Sequence, residues 1–228
     1  MKALLLRVGI DKGYGALSPV FADNSYRYIP IYYKDKKERE SKEKRSYRDI
    51  HLDGYLPSSL HDKKIHLDPE FETFTYGDPG WIKRGSLLKL CRGDLLVFYL
   101  GGKYLEGDAE EGCFVVGYFV VETVMDWNAL SRFQREEVKK VFANNAHIIS
   151  SKSKNNLVLV KGSKESKALA HCIPITVRNK KASNPPYFTS PGIQRLLGIR
   201  SYIVRAVPIW IHEQKHLENL KELLTIGH

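Results

Sequence analysis

The stretch from Arg92 to Val124, RGDLLVFYLGGKYLEGDAEEGCFVVGYFVVETV, decides the fold class. Arg92-Gly93-Asp94 reads as a turn, Leu95 to Leu100 as a buried strand, Gly101-Gly102 as a second turn, and Cys113 to Val124 as another strand with Gly117 at its centre. Two long apolar strands separated by polar, glycine-containing text make a hairpin or neighbouring strands of a small barrel.

Working outward, Lys2 to Val8 is a short apolar run that reads as a buried strand ending at Gly9. Ser25 to Tyr33 has strong β propensity, with Pro30 marking an edge or bulge. His51 to Pro79 has no helical period and reads as a long structured loop carrying short strands. Helices are few. Ala129 to Phe142 spaces Leu130, Phe133, Val138, Val141 and Phe142 helically, Ser190-Pro191 caps a short helix that Gly198 closes, and His212 to Leu224 is a last amphipathic helix. Strands and helices do not alternate regularly, so the expected class is α+β. Its core would be a mixed, mainly antiparallel sheet or a small β-barrel with a few peripheral helices, in one domain spanning 1–228.

The chain has 228 residues, a formal net charge of +10, and three widely spaced cysteines with no C-x-x-C pair. Neither a disulfide framework nor a thiolate zinc site follows from that set, and a reducing, cytoplasmic setting is expected. No apolar run approaches the roughly 20 residues of a membrane-spanning helix, so no membrane partner is expected. From Ser151 to Arg205 eleven basic residues face one acid, which leaves the remainder neutral. Apolar positions that must pack interrupt this basic segment, so Lys152, Lys154, Lys164, Arg178, Lys180 and Lys181 are expected on a folded surface that attracts phosphates. The alternating charges of 34–48 read instead as a solvated insertion.

Three sets of residues are candidates for chemistry. Gly9, Lys12, Gly13 and Gly15 follow a strand and can wrap backbone N–H groups and an ammonium around a phosphate; alternatively, this is a tight loop that Asp11 caps. Ile-His-Leu-Asp occurs at Ile50–Asp53 and again at Ile65–Asp68, and on extended chain each copy presents its imidazole and carboxylate on one face. Side by side, the two copies could hold a divalent metal; alone, His66 and Asp68 could act as an acid/base pair, with Asp11 a further catalytic candidate. Tyr76 and Trp81 flank a turn from which exposed rings stack a base for about 1 to 3 kcal/mol, although a Trp81 packed against the sheet is the alternative. His147 could reach a cleft shared with Lys161. The residues name no cofactor, and no Ser–His–Asp order or helical H-E-x-x-H is present.

LRVGIDKGYGALSPVFAD at Leu6 to Asp23, followed by Ile29-Pro30-Ile31, resembles the opening of the third nucleotide-modification-associated domain family. His66-Leu67-Asp68-Pro69, the Gly93-Asp94 strand, Val116-Gly117-Tyr118-Phe119, Asn145-Ala146-His147 and Lys161-Gly162-Ser163 continue the likeness as far as Ser163. The family has no firmly assigned reaction, so the resemblance implies a nucleotide or nucleic-acid partner and a nucleotide-linked context. The insertion at 34–48 and Glu70-Phe71 depart from the pattern. The two central strands are also similar to small barrels of the pseudouridine-synthase-and-archaeosine-transglycosylase type, whose relatives bind RNA or modified bases. Together these readings predict a protein that binds nucleic acid or a nucleotide through the Gly-rich loop, a cleft and the basic surface. The alternative is a base- or nucleotide-modifying enzyme using His66 and Asp68.

Overall fold

The computed structural model describes residues 1–34, 41–107, 110–150, 154–178, 187–199, 203 and 207–225. Its centre is an eight-stranded sheet: β1 (Ala3–Val8), β2 (Ser18–Val20), β5 (Thr75–Asp78), β6 (Leu95–Tyr104), β7 (Glu111–Asp126), β8 (Val158–Gly162), β9 (Lys167–Pro174) and β12 (Ile209–Ile211). The main path runs β12-β1-β6-β7-β8-β5, with β2 added to β6 and β9 to β7. β6 pairs in parallel with β1 and β2, and the other pairings are antiparallel. Two small two-stranded sheets accompany it, β3 (Ile31–Tyr32) with β4 (Ile65–His66), and β10 (Thr176–Arg178) with β11 (Tyr187–Thr189). Five α-helices complete the described residues: α1 (Trp81–Leu87), α2 (Arg132–Val141), α3 (Ala146–Ile149), α4 (Pro191–Leu197) and α5 (Gln214–Leu223). The class is α+β with a mixed, mostly antiparallel sheet, and among the described residues that sheet does not close into a barrel.

The central hairpin forms as the apolar runs dictate, with one correction. Gly101 and Gly102 do not turn; they continue β6 and pair with Cys113 and Gly112, so the reversal lies beyond Tyr104. Missing side chains make this possible: a Cβ on Gly101 would lie 2.3 Å from the Arg7 guanidinium, and one on Gly102 2.9 Å from Phe114. Alternation along β1 and β6 divides the core. Ala3, Leu5, Leu95 and Val97 face α4 and α5 through Ile193, Leu197, Leu217 and Leu220. Leu4, Leu6, Leu96 and Phe98 face the other way, onto Tyr76, Phe119 and Val160. There Phe98 packs edge-on against Phe71 and Phe119 at 5.8 and 4.7 Å, each such pair adding about 0.5–1.5 kcal/mol to area burial.

β7 is sixteen residues long and serves two neighbourhoods. Its first part pairs with β6 and β9, its last part with β8. Register shifts occur beside Gly117, where a Cβ would lie 2.6 Å from Phe71. Through β8 this strand carries β5 to the sheet edge, and β5 supplies one wall of the site.

Several local expectations are corrected. The β propensity of Ser25–Tyr33 is realised only in isolated bridges at Ser25 and Tyr26 and in the two-residue β3. In α2, Phe133 is 76% exposed, because only the Val138–Phe142 side of this short helix reaches Trp127, Leu157 and Leu159. The described part of the charged run is packed as well. Tyr47 is fully buried and donates to Pro30 O at 2.6 Å, and the buried Glu43 pairs with Arg45 at 2.9 Å. No described helix is long and apolar enough to cross a membrane.

Candidate functional site

A cavity of about 300 Å³ opens beyond the end of β1, where Val8 and Gly9 line it. Its walls come from β3 and the residues after it, from β4 and Asp68, from β5, from α1 through Lys83, and from α3 and the following turn. Sequence-distant segments meet there, and the contacts that hold them are polar.

Asp68 is the hub. Its side chain is 7% exposed, and its Oδ1 accepts from Gly77 N at 2.9 Å and from Asn145 Nδ2 at 3.2 Å. Its Oδ2 lies 3.4 Å from His147 Nε2. Burial raises the Asp68 carboxyl above the usual carboxylate range, while His147 and the Gly77 N–H oppose the shift. Asn145 ties the arrangement together, because its Oδ1 caps α3 by accepting from His147 N at 3.0 Å while its Nδ2 holds Asp68. Gly77 is the residue that lets α3 come so close; a Cβ there would lie 2.9 Å from His147 Cδ2 and 3.1 Å from Asn145 Oδ1.

His66 stands edge-on to His147, with ring centroids 4.6 Å apart, and edge-on to Tyr33 at 4.8 Å. Tyr33 donates to Ala146 O at 2.9 Å, so the ring beside His66 also pins α3. Burial pushes the Tyr33 hydroxyl up to about 12, which keeps it a hydrogen-bond donor. On β5, Tyr76 Oη donates to Asp78 Oδ2 at 3.0 Å and accepts from Lys83 Nζ at 3.1 Å, with Lys83 itself 2.9 Å from Asp78. Burial, then Asp78 and Asp68, hold the Tyr76 hydroxyl well above its ordinary value.

Lys34, Lys83 and Lys154 bring positive charge to the cavity wall. Lys34 sits 4.9 Å over the Tyr14 ring, which meets Tyr32 edge-on at 5.3 Å. Lys154 donates to Ser150 O at 2.8 Å, and burial, then Lys139 and Lys42, lower its ammonium below the ordinary lysine value. The arrangement can therefore orient an imidazole against a buried carboxylate, move a proton, and meet an anion with lysines.

The sequence candidates divide accordingly. Gly9, His66, Asp68, Tyr76, His147 and Lys154 line this cavity. In the Gly-rich loop Asp11 Oδ1 caps the turn by accepting from Gly13 N at 2.9 Å, Gly15 supplies φ +94, and Lys12 pairs with Glu111 at 2.6 Å. Lys12 and Gly15 line a second, more open cavity, so the loop is split between the two. Asp11 lines neither of them. Lys161 is turned to the Thr73 carbonyl, and Lys164 is exposed on the β8–β9 turn, outside the cavity lining. Trp81 is not packed on the sheet; it is 77% exposed and outside the cavity lining. The two Ile-His-Leu-Asp copies do not form a metal cluster, and among the described residues no three His, Cys, Asp or Glu side chains gather to hold a cation. Lys152, Lys180, Lys181 and the side chain of Arg178 lie outside the described residues. Sequence reasoning assigned no role to Tyr33, Asn145, Gly77, Asp78 or Lys83. The period-two spacing of Tyr76 and Asp78 was the available signal for β5, and Asn145 before a short helix was an N-cap signal.

The sequence profile described as nucleotide modification associated domain 3 matches residues 2–216. The chain belongs to that family. Three of the motifs through which it resembles the nucleotide modification associated domain 3 family meet in space: Val8-Gly9, His66 with Asp68, and His147 line one cavity, and Asn145 beside His147 holds Asp68 although 77 residues separate the two. The other two strand motifs form the hairpin at the centre of the sheet. No curated protein and no solved structure matches the chain.

Proposed function

We propose that the cavity of this nucleotide modification associated domain binds one nucleotide unit and transfers a proton to or from it. Tyr14 and Tyr32 offer aromatic surface to the base, Lys34, Lys83 and Lys154 meet the phosphate, and Asp68 orients His147 as the acid/base group, with His66 beside it. The observation that carries the reading is the buried Asp68–His147 pair, at 3.4 Å, in a cavity of about 300 Å³ that three lysines share. That volume is at the small end of ligand pockets, which suits one nucleotide. The basic segment 151–205 contributes Lys154 to this site, and that supports an anionic partner.

Calorimetric titration with nucleoside monophosphates and with the matching nucleosides tests the binding half. Monophosphates are expected to bind at least about 10-fold more tightly than nucleosides, and Lys154→Ala removes most of that difference. Equal affinity for both, or none for either, refutes the phosphate assignment. For the chemical half, chromatography with mass detection of nucleotide incubations should show a product that His66→Ala and His147→Ala abolish while affinity stays nearly unchanged.

A further inference from the structure

The helix that brings Lys83 to the cavity carries a feature that proton transfer does not use. α1 opens with Trp81 and Ile82, which are 77% and 64% exposed. Two adjacent large apolar side chains turned to water on a helix that also lines a cavity mark a contact surface more than ordinary packing. The helix that carries Trp81 is held in place. Gly80 N donates to Asp78 Oδ1 at 2.7 Å, Lys83 pairs with Asp78, and Arg84 donates to Asp126 Oδ1 at 3.0 Å and to Asn156 O at 3.4 Å. Pro79 lines the cavity, and two peptide steps keep the Trp81 Cα within about 7.6 Å of the Pro79 Cα. The Arg84 contact sets α1 against the turn that begins at Lys154, so the helix that carries the exposed ring adjoins the segment that brings Lys154 to the cavity.

Positive charge extends past the cavity. Lys34 and Lys154 line it beside Lys83, which Asp78 pairs, and Lys42 and Lys139, the latter paired with Glu136, lie close enough to act on the Lys154 ammonium. Clustered like charges repel one another in the free protein, and a chain of phosphates relieves that repulsion. An exposed indole beside such a cluster fits the face of an unpaired base, because stacking accepts any base while lysines follow the backbone.

We propose that the natural ligand is a single-stranded nucleic acid, with one nucleotide extruded into the cavity, a neighbouring base stacked on Trp81, and adjacent phosphates along Lys42, Lys139 and Lys154. This rests on the reading that the cavity holds a nucleotide. A paired base cannot place its edge in an enclosed cavity without leaving the stack, so duplex is the poorer ligand.

The test uses the full chain with labelled single-stranded DNA and RNA of about 12 nucleotides, the corresponding duplexes, and mononucleotide competitors, at about 50 and 200 mM salt. At least one single strand is expected to bind about 10-fold or more tightly than its duplex and than any mononucleotide, with affinity falling as salt rises. Trp81→Ala should weaken that strand by about 10-fold and leave mononucleotide affinity unchanged, and Trp81→Phe should restore most of the loss. Mononucleotides binding as tightly as strands, or Trp81→Ala leaving strand affinity unchanged, overturns the strand proposal while the cavity reading stands. Failure of every mononucleotide and every strand to bind overturns both.

Discussion

Ile50-His51-Leu52-Asp53 and Ile65-His66-Leu67-Asp68 carry the same four residues, and the fold uses them in opposite ways. In the first copy His51 is exposed and adopts a left-handed backbone, φ +56, after which Asp53 opens a 3-10 turn. In the second, β4 stays extended against β3, with Ile65 and Leu67 turned to a local core and His66 and Asp68 to the cavity. An i, i+2 pair shares a face only while the backbone is extended. A neighbouring strand holds the second copy extended, whereas a turn returning Leu52 N to Tyr47 O at 2.9 Å breaks the alternation in the first. The repeat is thus one local signal whose meaning the partner strand decides.

The sharpest way to break the comparison is to remove each carboxylate. Asp68→Ala deprives the Gly77 N–H and the Asn145 amide of their acceptor, and unsatisfied buried donors cost about 1–3 kcal/mol each. Urea denaturation should show a loss of about 2–4 kcal/mol, against less than about 0.5 kcal/mol for Asp53→Ala. Similar losses at both positions would end the distinction.

A second contrast uses the glycines beside the two copies. A Cβ on Gly77 meets His147 at 2.9 Å, whereas one on Gly54 meets nothing within 4 Å. Gly77→Ala should cost about 1–3 kcal/mol by overpacking and lower product formation by displacing His147; Gly54→Ala should leave melting and product formation unchanged.

The smallest effect is one of pH. Burial raises the folded-state carboxyl of Asp68 above its ordinary value of 3.8, so across that interval the folded protein holds the proton more tightly than the unfolded chain. Its contribution is full below 3.8 and is lost as pH rises through the raised value. Asp68→Asn keeps an acceptor for Gly77 and Asn145 and removes the titration. The variant should therefore be more stable at neutral pH, lose that advantage in acid, and yield less of the product expected from the proposed proton transfer. Denaturation midpoints measured against pH check the sign, and an Asn variant less stable at neutral pH would mean that the His147 contact outweighs burial.

Local signals survived translation into structure where their physics is local. Ser190-Pro191 and Gly198 bracket α4 as read, because Ser190 accepts from Ile193 N and Gly198 takes φ +71, both within the helix's own turns. α1 was hidden because Gly80 caps it without a side chain and Gly85 interrupts its interior, so neither a start signal nor a strong propensity was present. Gly101-Gly102 misread as a turn for the converse reason: the glycines serve close packing against Arg7 and Phe114, and both lie outside the pair.

By itself, the sequence determined the apolar runs that build β1, β6 and β7, the α+β class, the two ends of α4, and the presence of His66 and Asp68 in one extended element. These depend on period, propensity and neighbours along the chain. Only the tertiary structure decided which Ile-His-Leu-Asp copy faces a cavity, that Lys12 pairs with Glu111 while Lys154 lines the site, and that Asn145 reaches Asp68 across 77 residues. Those outcomes follow from where β5, α3 and the β3–β4 pair are packed, and burial, charge pairing and close approach at glycine are properties of neighbours in space.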